Sequence, residues 1–126
     1  MTQLFRQLPA RLDIEFRRGD TLRIPIQLTR NVGSTTAPVY EARDLTGHEL
    51  FAQVRLTAAS TEVVATFTVE PVDLVDGRFL LVLDPEQSAN LSKTKEYDVQ
   101  STVAGVVRTW IAGQIRPELD VSRIGA

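Results

Sequence analysis

Apolar side chains recur at every second position along most of this chain, the spacing of strands with one buried face. Leu12, Ile14 and Phe16 alternate with Arg11, Asp13, Glu15 and Arg17. Leu22, Ile24, Ile26 and Leu28 alternate with Arg23, Pro25, Gln27 and Thr29. Pro25 has no N–H for a ladder, so this second strand is expected at a sheet edge or a bulge. The period returns in Leu50, Ala52, Val54 and Leu56, in Val63, Ala65, Phe67 and Val69, and in Phe79, Leu81 and Leu83. Tyr97, Val99, Ser101 and Val103 then lead into Val107, Thr109, Ile111 and Ile115 across a predicted hairpin at Ala104-Gly105. Trp110 is out of phase with Ile111, which predicts a strand covered on both faces.

Between these runs lie turn signals: NVGSTTAP at residues 31–38, Thr46-Gly47 and Asp76-Gly77. The one helical segment is PEQSANL at residues 85–91, where Pro85 suits a first turn and Asp84 can cap it. ELDVSR, residues 118–123, can add an edge strand. About seven or eight short strands with so little helix predict an all-β chain, an antiparallel β-sandwich or small barrel. A parallel α/β fold would need crossover helices, and there is no room for them.

Composition narrows this further. A chain of 126 residues is the size of one domain, and with no cysteine it has no disulfide framework, zinc knuckle or thiol nucleophile. A net charge of −2 does not suit a protein built to hold nucleic acid or an anionic membrane. The N-terminus lacks the apolar stretch of a signal peptide, and no run reaches the roughly 18 apolar residues of a membrane span. The expectation is a soluble single domain with no cofactor, no metal, no nucleic-acid partner and no membrane contact.

Candidate chemistry is sparse. His48 is the only histidine, so any Ser-His-Asp triad or cysteine-free zinc site would have to use it, and it follows a turn where a polar residue is ordinary. Asp73 and Asp76 flank one turn, and Glu41, Asp44 and Glu49 surround another, without the alternate spacing of a calcium loop. Such residues at turns usually bond their own backbone. Arg18-Gly19-Asp20 spells an integrin-recognition tripeptide, yet it joins two strand-patterned segments where Gly19 can take positive φ. The arm MTQLFRQLPA carries Leu4, Phe5 and Leu8 but is too short for an independent helix. Residues 1–10 and 119–126 are therefore expected to dock on neighbouring subunits. Tyr40, Phe51 and Trp110 complete the candidate interface residues, because aromatic anchors dominate interfaces when they point outward.

Taken in order, several segments resemble a known family. FRRGDTL (residues 16–22) leads into an apolar strand, and DLTG (residues 44–47) precedes a strand ending near Arg55. DGRFLLVL (residues 76–83) and PEQSANL (residues 85–91) follow. YDVQ (residues 97–100), the Ala-Gly hairpin, RTWIAG (residues 108–113) and DVSR (residues 120–123) complete the series. The progression is similar to the small β-sandwich domains of tailed-bacteriophage virion proteins. It resembles in particular the N-terminal domain of baseplate upper proteins and tail-fibre adaptors, over residues 14–123. In those baseplate proteins a long fibre-like or carrier-binding region follows, whereas this sequence stops at Ala126, which leads to the expectation of a free-standing module.

The resemblance implies an immunoglobulin-like antiparallel β-sandwich over residues 11–123, with an arm at residues 1–10 and a tail at residues 124–126. It implies a non-enzymatic virion protein of the tail, baseplate or fibre-attachment apparatus, assembled in the host bacterial cytoplasm. Its partners would be other virion proteins and further copies of itself in a symmetric assembly. Two rivals remain: a capsid decoration (cement) or neck protein of the phage head, and a carbohydrate-binding sandwich with an exposed aromatic platform. A hydrolase ranks below these, since one histidine leaves little acid–base equipment.

Overall fold

The computed structural model describes residues 9–57 and 59–118. In chain order the elements are β1 (Ala10–Arg11), β2 (Ile14–Phe16), β3 (Leu22–Gln27), β4 (Thr29–Asn31), β5 (Tyr40–Ala42) and β6 (Glu49–Arg55). They continue with β7 (Val63–Asp73), β8 (Arg78–Leu83), α1 (Pro85–Ala89), β9 (Lys95–Val103) and β10 (Val106–Pro117). The main sheet follows the path β1-β10-β9-β6-β7-β8-β3, with β2 also on β10, and β4 and β5 form a small second sheet. β7 is the corner. Its first half pairs with β6, as in Ala52↔Phe67, and its second half pairs with β8, as in Thr68↔Val82.

Because the sheet curls at β7, side chains of one phase from both halves meet in a single core. Ala52, Val54, Phe67, Tyr97, Val99, Ile111 and Ile115 come from one half; Leu22, Ile26, Phe79, Leu81 and Leu83 come from the other. Each large apolar side chain so buried contributes about 1.5–3 kcal/mol of transfer free energy, which is what selects this register over a one-residue slip. The alternation therefore predicts the strands β3, β6, β8 and β9 and the faces they bury. The path bears out the all-β class, with eight strands in the main sheet and two more in a small second one, while an immunoglobulin-like connectivity is not established by it. Among the described residues β3 has β8 as its one sheet neighbour, with Pro25 opposite Leu80, so it is the edge strand that Pro25 predicts.

Three details go beyond the pattern. The expected strand through Leu12, Ile14 and Phe16 is broken into β1 and β2, and both run parallel to β10 rather than antiparallel. The break occurs where the Leu12 carbonyl passes directly over Gly113, where any Cβ would collide, and accepts the Tyr97 hydroxyl. Leu12 is consequently turned out of the core. The turn-rich segment from residue 31 begins at the end of β4 and forms the hairpin loop to β5, held by Asn31 Oδ1, which accepts from the N–H groups of Gly33 (2.9 Å) and Val39 (3.1 Å). The arm through residue 8 and the proposed edge strand and tail from residue 119 onward lie outside the described residues.

Local turns match their residues. Asp84 caps α1 by accepting from Gln87 N–H (2.8 Å), with Pro85 in the first turn. Ala104 (φ 50°) and Gly105 (φ 77°) are both left-handed, the requirement of a tight two-residue hairpin. Arg18-Gly19-Asp20 is clamped to α1. Arg18 donates to the Ala89 carbonyl (2.6 Å from Nη2), and buried Ser88 accepts from Gly19 N–H (3.0 Å) and donates to the Asp20 carbonyl (2.7 Å). The tripeptide is thus a structural turn whose arginine is already engaged.

At one end of the sandwich the β7–β8 turn meets two other segments. Leu28 N–H donates to the Gly77 carbonyl (2.9 Å), Arg43 N–H to the Leu28 carbonyl (2.9 Å) and Leu45 N–H to the Leu74 carbonyl (2.7 Å). These bonds fix residues 43–48 across that end, beside the bulge in β10.

Candidate functional site

The β9–β10 ladder slips by one residue between Thr109 and Ile111. At a bulge two residues oppose one, and the local twist re-aims a side chain. Here the slip turns Trp110 into the same core as Ile111, with 9% of its surface left exposed. Trp110 therefore does not cover a second face of the strand, and it is not an outward anchor. Its indole N–H donates to Ser101 Oγ (2.8 Å), and Ser101 Oγ is also 3.0 Å from His48 Nδ1. The indole can only donate, so the hydroxyl accepts from it, and its contact with Nδ1 follows the imidazole tautomer. Ser101 is 1% exposed, so its oxygen has no open approach for a substrate.

Two guanidiniums lie over the same indole. The Arg108 Cζ is 4.1 Å from the ring centroid and that of Arg43 is 4.7 Å away, both within cation–π range. Burial, and after it the charges of Arg108 and Arg30, lower the pKa of Arg43 from the ordinary guanidinium value. Arg30 is engaged by Glu41 (3.3 Å). Asp44 accepts from both the hydroxyl (2.6 Å) and the N–H (2.9 Å) of Thr46, which hold its carboxyl below the usual carboxylate range. These groups line a cleft of about 370 Å³ formed by Arg30, Glu41, Arg43, Asp44, His48 and Trp110. A hollow of about 280 Å³ adjoins it, sharing Arg43 and Trp110 and adding Arg108, with Leu12, Leu28 and Ile111 as its apolar lining.

The site offers positive charge beside an aromatic face and apolar walls. Its carboxylates are engaged in turns and ion pairs: Asp44 with Thr46, Glu41 with Arg30, and, farther off, Asp76 with Arg78 (2.6 Å). Among the described residues there is no group of three or more His, Asp and Glu placed to hold a metal ion.

Of the candidate interface residues, Tyr40 on β5 is 67% exposed, beside exposed Val39. Phe51 is half-buried on the outer face of β6, opposite Gln100. Leu4, Phe5 and Leu8 lie outside the described residues. The structure thus separates residues that sequence reasoning grouped, and it gives Trp110 companions that reasoning missed. Arg108 was within reach, since two residues' spacing on a strand puts it on the Trp110 side. Arg43 and Ser101 carry no such signal, because separate strands and connections bring them in. No family model matches the chain, and no curated protein matches it either.

Proposed function

We propose that this chain is a non-enzymatic structural protein of a bacteriophage virion, a docking module of the tail, baseplate or fibre-attachment apparatus. The observation that carries the reading is the exposed apolar surface at two hairpins. Val39 and Tyr40 stand out on β5 and the loop before it, and Val103, Val106 and Val107 flank the β9–β10 turn, Val106 at 64% exposure. Apolar side chains concentrated on rigid hairpin tips favour association over solvation. The resemblance in segment order to small virion sandwiches supplies the biological setting. The lone histidine and its buried serine form a structural triad with Trp110, which supports recognition rather than catalysis. The burial of Trp110 counts against a carbohydrate platform at that residue.

In this reading the curled sheet is a stiff support and the hairpins are its contact points, repeated around a symmetric assembly so that modest contacts add up. Sedimentation velocity and negative-stain electron microscopy of the full chain test it. The expected result is a closed cyclic oligomer, or a complex with co-expressed virion proteins, weakened about tenfold or more by Tyr40→Ser. A chain that stays monomeric with every co-expressed virion protein overturns the reading.

A further inference from the structure

Arg43 and Arg108 stand apart from every other arginine among the described residues. Arg11, Arg17, Arg23, Arg30, Arg78 and Arg116 each face a carboxylate. Arg18 and Arg55 donate to carbonyl oxygens. Arg43 and Arg108 have neither an ion pair nor a side-chain hydrogen bond among the described residues, and Arg108 Nε, like Arg55 Nε, is buried without a hydrogen-bond partner. Both guanidiniums nevertheless border one hollow, held against one indole. Two cations so placed repel each other, and an anion seated between them relieves that repulsion.

We propose that this hollow is a binding site for a carboxylate on an apolar stem, presented by an acidic side chain of a protein partner. Three features select that ligand. The guanidinium fork matches the planar carboxylate in shape and charge. Leu12, Leu28 and Ile111 give the hollow apolar wall beside Ala10, Gln27 and Thr29, and that wall suits methylene groups better than a strongly hydrated phosphate. Glu41 and Asp44 border the adjoining cleft, and their charges weigh more against a multiply charged anion than against a single carboxylate. The site also accounts for Leu12, an apolar residue turned out of the core and toward this hollow. The proposal rests on the docking reading for the source of the carboxylate, and the geometry of the hollow stands independently of it.

Trp110 is the only tryptophan of the chain, so its fluorescence reports the site directly. The full chain is titrated at constant ionic strength with acetyl-Leu-Glu-Leu-amide, its Gln counterpart, acetate and inorganic phosphate. The expected result is a saturable change in Trp110 emission with the Glu peptide and none with the Gln peptide over the same range. Acetate binds more weakly, since it lacks the stem. Arg43→Gln and Arg108→Gln each weaken Glu-peptide binding about tenfold, with the far-ultraviolet circular dichroism unchanged. No saturable change with the Glu peptide, equal binding of the Gln peptide, or tighter binding of phosphate overturns the assignment. Acetate binding as tightly as the peptide overturns the partner side chain as its source. The wild-type titration decides the matter even where a variant folds poorly. Loss of the peptide signal in a chain that still assembles removes this site alone; peptide binding by a chain that assembles with nothing removes the docking reading alone.

Discussion

Ser101 shows how much one buried hydroxyl can organise. It takes the Trp110 N–H at 2.8 Å and meets His48 Nδ1 at 3.0 Å, so a single oxygen satisfies the indole and orients the imidazole. Ser88 does the same at the other loop, serving Gly19 and Asp20. Removing such a group leaves its partners buried and unpaired, which costs more than the bond itself is worth. Ser101→Ala is therefore expected to lower stability by about 1–3 kcal/mol, read as a shift in the urea midpoint at unchanged slope. A midpoint within experimental error of the wild type would remove the hydroxyl from its role. The same substitution frees the indole to move, and Trp110 emission should shift to longer wavelength.

At the scale of elements, the turns divide into those that need glycine for its backbone alone and those that also need its missing side chain. Gly105 has φ +77° with open space around a built Cβ. Gly77 has φ +70°, and a Cβ there would lie 2.6 Å from the Leu28 carbonyl oxygen and 2.8 Å from that of Arg43. Gly105→Ala is expected to cost about 1 kcal/mol, the left-handed penalty. Gly77→Ala is expected to cost about 3 kcal/mol, because the backbone contacts that position residues 43–48 must also give way. Denaturant unfolding of the two variants side by side checks the difference, and equal losses would contradict it.

Elements also show what was legible in the sequence. Strict alternation made β3, β6, β8 and β9 readable, and Asp84-Pro85 and Ala104-Gly105 made α1 and the last hairpin readable. β4 and β5 were not, since TRN and YEA are short, exposed and without a period. The slip at Trp110 leaves no trace in the order Thr109-Trp110-Ile111, because a bulge is a property of the pairing rather than of one strand. Arg43 in the stack on Trp110 was equally invisible: it reaches the indole and Arg108 only when the β5–β6 connection closes over β10.

At the scale of the whole molecule, Asp13 ties the N-terminal strands to β10. Its carboxylate accepts from Gln114 N–H (2.9 Å) and faces Arg11 (3.2 Å) and Arg116 (3.6 Å). The Gln114 hydrogen bond, assisted by the two arginines, holds its pKa below the usual carboxylate value. A carboxyl whose pKa is lowered on folding adds stability above its unfolded value of about 3.9 and loses it as the pH falls through the folded one. Asp44 behaves likewise through Thr46. Stability is thus expected to fall below about pH 4. In Asp13→Asn the neutral-pH stability is lower and the acid slope shallower. A urea series from neutral to acid pH checks this, and an unchanged slope in the variant would contradict it.

The proposed role of the curled sheet is that of a docking module in a virion. It is tested most directly on particles purified from lysates of the host that carries the gene, by mass spectrometry and by immunogold electron microscopy with an antibody to this chain. The predicted result is that the chain co-purifies with phage particles and the label lies at the tail tip, baseplate or fibre attachment. Absence of the chain from the particles would contradict the claim, and label spread over the capsid would contradict its placement on the tail.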